Sequence, residues 1–295
     1  MAKENMTKTA DVAVSAREID FVTRFNKNWE HLTTILGIMR PIRKEPGTML
    51  KSKKASIVLQ NGAVGEGEDI PFSKASVEEI DYAEMTIEKY AKSVSVEAIK
   101  EHGYDVAVGM TDDAFLYELQ DNVTGRFYTY LNTGSLKSSE TTWQRALAMA
   151  KGNVVNKFKQ MKRTATKVVG FANVLDLYDY LGDKEITVQN AFGFTYIKNF
   201  MGYDTIFLLS DGEIQRGRVI ATPIENIVLY YVDPSDSAFA RAGLVYRTAG
   251  NTRLIGFHTQ GNYNTASSEC FAIMGMTLFA EYLDAIAVID VTAGE

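Results

Sequence analysis

The sequence predicts an α+β fold on three observations. Residues 104–131 and the stretch that follows Ser138 repeat their apolar side chains at spacings of three and four, as helices with one buried face do. The second half of the chain instead carries short apolar runs of strand length. No fixed-period repeat relates these segments, so helices and strands are mixed without a βαβ rhythm. At 295 residues, with 46% hydrophobic and 23% charged residues, the chain has globular composition and length for about two average domains.

In chain order, Ile19, Val22, Phe25 and Trp29 fit a short amphipathic helix, and Pro41 and Pro46 then stop regular structure. This segment has too few apolar residues for a core of its own and is expected to lie across another surface. From residue 51 to 84 the pattern is two-stranded. Lys51-Ser52-Lys53-Lys54 leads into Ala55-Ser56-Ile57-Val58-Leu59-Gln60, the Gly-rich stretch 61–67 turns, and 68–72 returns the chain. Asn61-Gly62 is the hairpin signal, since both residues tolerate positive φ. A lone hairpin is marginal in water, so Ile70 and Phe72 are expected to lean on another body.

Met85, Ile87, Val94 and Val96 alternate with polar residues as in a half-buried strand. In the long helix over 104–131, Phe115, Leu119, Val123, Phe127, Tyr130 and Leu131 form one stripe, and its length of roughly 40 Å suits a strut. A second helix, with its N-cap at Ser138 or Ser139, carries Trp143, Leu147, Ala150, Val154, Phe158 and Met161 on one face. Lys167 to Phe171 reads as a buried strand, followed by a helix with Val174, Leu175, Tyr178 and Leu181 that Gly182 closes. Strand-like runs follow at 186–188, 194–197, 205–209, 217–221 and 227–231, and the apolar stretch 269–283 precedes the closing run 285–291.

Charge is unevenly placed. Residues 1–54 hold 11 Lys/Arg against 6 Asp/Glu, a net +5, whereas 55–295 hold 20 against 31, a net −11. The basic end is too dilute to predict strong DNA binding and reads as a solvated or partner-docking arm. One Cys excludes a disulfide scaffold and fits a reducing compartment, and Cys270 sits in an apolar run where an inert thiol is expected. No apolar run reaches membrane-span length and no signal region opens the chain, so a soluble protein made in the cytosol is expected.

The search for chemistry finds no catalytic, cofactor or metal constellation. His31, His102 and His258 lack partners at ligand spacing. Gly62, Gly65 and Gly67 lack the Lys-Ser/Thr of a phosphate loop, and Glu66, Glu68 and Asp69 would repel a phosphate. There is no Gly-x-Ser-x-Gly elbow, and Glu78, Glu79, Asp81 and Glu84 read as a solvated face. The aromatic residues are spread through strands rather than interleaved with Lys/Arg, which points to core and interface use. The Asn122-Val123-Thr124 sequon falls on the long helix and carries no glycan reading. A basic arm, a protruding hairpin, a strut and a separate α+β body suit a tile better than an enzyme.

That element order resembles the major capsid proteins of tailed bacteriophages, with their Hong Kong 97 fold. The resemblance rests on the loop with Gly65-Glu66-Gly67-Glu68-Asp69-Ile70-Pro71, the long helix, the unit Lys167-Val168-Val169-Gly170-Phe171-Ala172-Asn173-Val174-Leu175-Asp176-Leu177 and the closing run 279–289. It implies an N-terminal arm at 1–36, a strand entering the peripheral domain at 37–50, an extended loop at 51–84, a peripheral domain with the spine helix at 85–137, an axial domain at 138–254 and a return to the peripheral domain at 255–295.

The function so implied is a non-enzymatic shell subunit of the virion, assembled in the host cytoplasm. It would form hexamers and pentamers that close as an icosahedral head around double-stranded DNA held without sequence preference and without a membrane. An encapsulin-like compartment is the alternative, and an α+β enzyme a more distant one. Because the chain reaches the loop within about fifty residues of Met1, the resemblance implies a separate scaffolding protein, with a portal and decoration proteins as further partners. The candidate inter-subunit contacts are Trp29 on the arm and Lys54, Glu66, Glu68, Asp69, Ile70 and Phe72 on the loop. The family's lysine–asparagine crosslink is not expected, because residues 61–67 contain no Lys and the nearest candidates are Lys54 and Lys74.

Overall fold

Why the second half folds as a sheet buried on both faces is visible in its alternation. In a computed structural model, which describes residues 16–36, 41–182, 188–191, 194–248 and 253–292, seven strands form the central sheet. They are β5 (Leu136–Glu140), β6 (Val168–Asn173), β7 (Gln189–Ala191), β8 (Phe194–Lys198), β9 (Thr205–Leu209), β10 (Arg218–Pro223) and β15 (Ala287–Val291), in the order β5-β15-β10-β6-β9-β8-β7. Val169, Phe171, Phe207, Leu209, Ile220 and Val288 face one core; Val168, Ala172, Ile206, Leu208, Val219, Ala221, Ala287 and Ile289 face the other. Successive side chains on a strand point to opposite faces, so continuous apolar runs require cover on both sides. Across β10 and β15, Arg218 donates to both oxygens of Asp290, its register partner, at 2.6 and 3.0 Å.

One cover is helical. Helix α4 (Trp143–Gln160) packs on β10 and β15 through Trp143, Ala146, Leu147, Ala150, Val154 and Phe158, and α5 (Val174–Leu181) joins the same core through Leu177. The expected cap of α4 at Ser138 or Ser139 is displaced: both residues belong to β5, paired in parallel with β15, and Thr142 caps the helix by accepting from the N–H of Arg145 at 3.3 Å. The serines lie on a polar edge strand, which has no apolar alternation to reveal it. Gly182 closes α5 as its sequence predicts, lying at φ 57°, and Asn173 caps the other end by accepting from Leu175 N–H at 2.9 Å.

The other cover is the spine. Helix α3 (Thr111–Leu131) continues a π-helical turn over Asp105–Met110, so 104–131 is helical throughout but not uniformly α. A π turn leaves carbonyls without their usual donors. Here Thr111 Oγ1 donates to the carbonyls of Ala107 (2.7 Å) and Val108 (3.0 Å), and Lys92 Nζ reaches Val108 O at 3.4 Å. Leu116, Leu119, Val123, Phe127 and Leu131 are buried beneath it. Gly134, just past α3, lies so close to Ile286 that a Cβ would sit 2.7 Å from that backbone, which brings the end of the spine against the lead into β15.

Smaller sheets complete the body. β4 (Glu88–Ser95), β12 (Ile255–Asn262) and β13 (Ser267–Met274) form one in the order β12-β13-β4; β1 (Ile42–Arg43), β11 (Ile227–Tyr231) and β14 (Met276–Ala280) form another in the order β1-β11-β14. Of the two short helices, α2 (Val96–His102) leads from β4 toward α3, and α6 (Ser237–Arg241) lies between β11 and β12. The strand expected at 186–188 falls mainly on residues outside those described. Among the described residues no helix is long and apolar enough to cross a membrane.

Candidate inter-subunit contact surfaces

Two features near the N-terminus carry the residues expected at contacts between copies. The first is helix α1 (Ala16–Leu36), which lies on β12 and α3. Phe21, Val22, Phe25 and Trp29 enter the main core, and the Phe21 ring stacks on Phe257 at a centroid distance of 4.0 Å. Trp29, expected at a contact with a neighbour, is 1% exposed within its own subunit, because spacings of three and four put it on the same face as Val22 and Phe25. Ile19, expected on that face, is exposed.

Charges fasten the same helix. Arg17 donates to both oxygens of Asp112, from Nε at 2.5 Å and Nη2 at 2.7 Å, and Lys92 reaches Asp112 Oδ1 at 2.5 Å. Burial alone would raise the Asp112 carboxyl, but the hydrogen bonds and charges of Arg17 and Lys92 outweigh it and hold it below the usual carboxylate range. Glu18 accepts from the backbone N–H (2.5 Å) and hydroxyl (2.9 Å) of Thr259, and Arg24 bonds Asp113 at 2.5 Å. Cys270, the register partner of Lys92, is fully buried, and desolvation pushes its thiol up. None of these polar latches is legible in the sequence; their only trace there is the cationic and anionic residues that flank the apolar stripe of α1.

The second feature is the hairpin of β2 (Met49–Val58) and β3 (Lys74–Glu84), a two-stranded sheet that pairs with no other strand among the described residues. The return strand lies at 74–84 rather than at 68–72, so the connection is a 15-residue loop and not a tight Asn-Gly turn. Asn61 Oδ1 accepts from Ala63 N–H at 3.1 Å, which spends the Asn61-Gly62 pair on a local turn within that loop. Glu78, Glu79 and Asp81 are the register partners of Lys54, Lys53 and Lys51. The acidic cluster is thus the complement of the basic one, and Lys51 Nζ lies 3.3 Å from both Glu79 and Asp81. At about 3.3 Å per residue the ladder reaches roughly 30 Å.

The hairpin is rooted at one end only. Leu50, Met85 and Val232 form a small core, and Tyr82 packs on Tyr130 and Phe279 at 4.1 and 4.6 Å. Beside this root an open groove of about 620 Å³ is lined by Tyr82, Asn122, Arg126, Tyr130 and Leu283. Asn122 donates to Tyr90 there at 2.9 Å, and Arg126 pairs with Glu88. Burial and the Glu88 hydrogen bond push the Tyr90 phenol up to about 12.

At the far end, Glu66 and Asp69 are exposed, while Glu68 turns back and accepts from Gly65 N–H at 2.8 Å, closing the tip. That bond engages one of the three acids expected to face a neighbour. Ile70 is 73% and Phe72 99% exposed. The backbone of Lys54 lies in β2, and its side chain is outside the described residues. Among the described residues no group of three or more His, Cys, Asp or Glu is placed to hold a metal ion.

This geometry has counterparts. The chain superposes on a structure of the satellite phage P4 procapsid including its size determination (Sid) protein, with a TM-score of 0.51 at 12% identity over 98% of this chain and 94% of that one. It superposes equally on the capsid asymmetric unit of cyanophage A-1(L), with a TM-score of 0.51 at 11% identity over 98% and 99%. The fold is the Hong Kong 97-like capsid fold. No family model matches the sequence, and neither does any curated protein.

Proposed function

We propose that this chain is a structural shell subunit, with no catalytic role, whose copies associate into hexamers and pentamers that close as an icosahedral phage head around double-stranded DNA. The observation that carries the reading is the hairpin. It stands off the body and carries an almost wholly exposed phenylalanine, Phe72, at its tip. Burying one such side chain yields about 1.5–3 kcal/mol, and a second copy can supply the surface. The groove beside Tyr82 and Tyr130 has the apolar floor that Ile70 and Phe72 of a neighbouring copy require, with Arg126, paired to Glu88, in its lining.

Reach supports the same reading, since interlocking extended elements spread an interface over several neighbours and can exceed the ~1,000 Å² of a specific contact. A separate scaffolding protein, a portal and decoration proteins complete the assembly we propose, in the host cytoplasm. With no Lys between residues 59 and 73, the shell is held without a loop-tip isopeptide bond. Denaturing electrophoresis of particles should then give one monomer-sized band rather than a ladder. Electron microscopy of the purified full-length chain tests the proposal itself. Rings of capsomers or closed shells are expected, with Phe72→Ser reducing their yield. A monomer at every attainable concentration, with and without a co-expressed scaffolding protein, would overturn it.

A further inference from the structure

Residues 141–175 contain seven Lys/Arg and no Asp or Glu, in a chain of net charge −6. They fold as α4, the turn after it and the lead through β6 into α5. Because α4 turns its apolar face to the sheet, its cations are left on the outer side. Four of the seven are engaged. Arg145 bonds Glu140 at 3.1 Å, Lys157 lies 3.5 Å from Asp284, Lys167 lies 3.9 Å from Asp204, and Lys151 donates to the carbonyl of Gly202. The nearby carboxylate of Glu225 is taken by the N–H and hydroxyl of Thr166.

Lys159, Lys162 and Arg163 differ. All three are exposed, and among the described residues none pairs with a carboxylate. The Arg163 guanidinium lies 4.5 Å from the centre of the Tyr282 ring. Lys162 has φ 56°, and the N–H of Arg163 reaches back to Phe158 O at 2.8 Å. Glycine is the usual residue at such a left-handed helix end, since a Cβ is strained there. The partial negative charge of a helix C-terminus accounts for a cation in the last turn, but not for a lysine held in the conformation that suits glycine.

The surroundings indicate the partner. Asn153, Asn156, Gln160 and Thr164 supply neutral hydrogen-bonding groups, and no large hydrophobic side chain is exposed between Met149 and Leu175. Protein interfaces are anchored by buried apolar or aromatic side chains, whereas phosphate backbones are held by Lys and Arg with amides and hydroxyls. We infer that Lys159, Lys162 and Arg163, at the C-terminal end of α4, contact the phosphate backbone of duplex DNA. The choice of duplex rests on the shell reading above. The contact reads no sequence, and the screening length of about 8 Å at physiological salt keeps it local on an otherwise acidic chain.

The test is fluorescence anisotropy of a mixed-sequence DNA duplex titrated with the full-length chain across a salt series. Three proteins are compared: wild type, a variant with Lys159→Gln, Lys162→Gly and Arg163→Gln, and a control of equal charge with Arg145→Gln, Lys157→Gln and Lys167→Gln. Lys162→Gly relieves the left-handed strain, and the urea midpoint confirms that the variant is folded. The slope of log Kobs against log salt should fall by about 3 in the first variant, roughly one per lost phosphate contact, and much less in the control. Equal loss in both variants would sink the assignment, as bulk charge would then suffice. Tighter binding of polyglutamate than of duplex by the wild type would also overturn it, in favour of an acidic protein partner. Shell formation is scored separately by electron microscopy. Absent shells with intact DNA binding reject the shell reading alone, and normal shells with unchanged slopes reject the α4 contact alone.

Discussion

Helix α1 and the β2–β3 hairpin enter the chain within fifty residues of each other, yet they solve the problem of a small apolar surface in opposite ways. The helix folds back and buries Phe21, Val22, Phe25 and Trp29 in its own subunit, with Arg17 and Glu18 tied to Asp112 and Thr259. The hairpin keeps Ile57, Val58, Leu59, Ile70 and Phe72 exposed and is held mainly by its own ladder and by lysine–carboxylate pairs. A segment whose apolar groups are satisfied at home contributes to subunit stability. One whose apolar groups are left in water contributes once another chain covers them.

The largest effect that would sharpen this contrast is Phe25→Ala. Removal of a fully buried aromatic ring should cost about 3–5 kcal/mol in the urea unfolding of dilute subunits. A loss below about 1 kcal/mol, the range of a surface change, would mean that α1 is not docked in solution. Asp112→Asn comes next, at about 3 kcal/mol, because Arg17 and Lys92 are then left half-buried against a neutral amide.

The same carboxylate sets a pH dependence. Its folded pKa is depressed, so its contribution is fully present above the unfolded value near 4 and is lost as pH falls through the folded one. Stability should therefore be flat from pH 7 to about 5 and fall in more strongly acid solution. In Asp112→Asn that acid limb should be shallower, and an identical limb in both proteins would remove Asp112 as its source. Phe72→Ala should leave isolated subunits within about 0.5 kcal/mol of wild type while reducing assembly. The smallest effect belongs to Lys51→Gln, at an exposed pair whose small shift in urea midpoint should vanish in high salt.

The same contrast explains what the sequence reveals. Trp143, Leu147, Ala150, Val154 and Phe158 announce α4 because a helix packed on a sheet must repeat its apolar residues at that spacing. Runs such as Thr205–Leu209 announce strands buried on both faces. The hairpin is legible as an element but not in its register: both strands are solvated, and the complementarity of Lys51, Lys53 and Lys54 with Asp81, Glu79 and Glu78 becomes decisive only once they are paired. Trp29 and Glu68 show the limit for contact residues. Whether a tryptophan faces its own core or a neighbour, and whether a glutamate faces solvent or caps a turn, depends on tertiary geometry that spacing does not encode. The edge strand β5 and the strand β12 have no clear alternation, and for that reason neither is legible in advance.

The single thiol has a use in time as well as in space. Cys270 pairs across its strand with Lys92, whose amine meets Asp112, which in turn grips Arg17 of α1. Its sulfur is sealed from solvent and resists ionisation. Alkylation can therefore proceed only while that region is open, and under fast reclosing its rate reports the free energy of the opening. A chain with one cysteine thus carries a clock beneath α1, which a maleimide and a mass spectrometer can read.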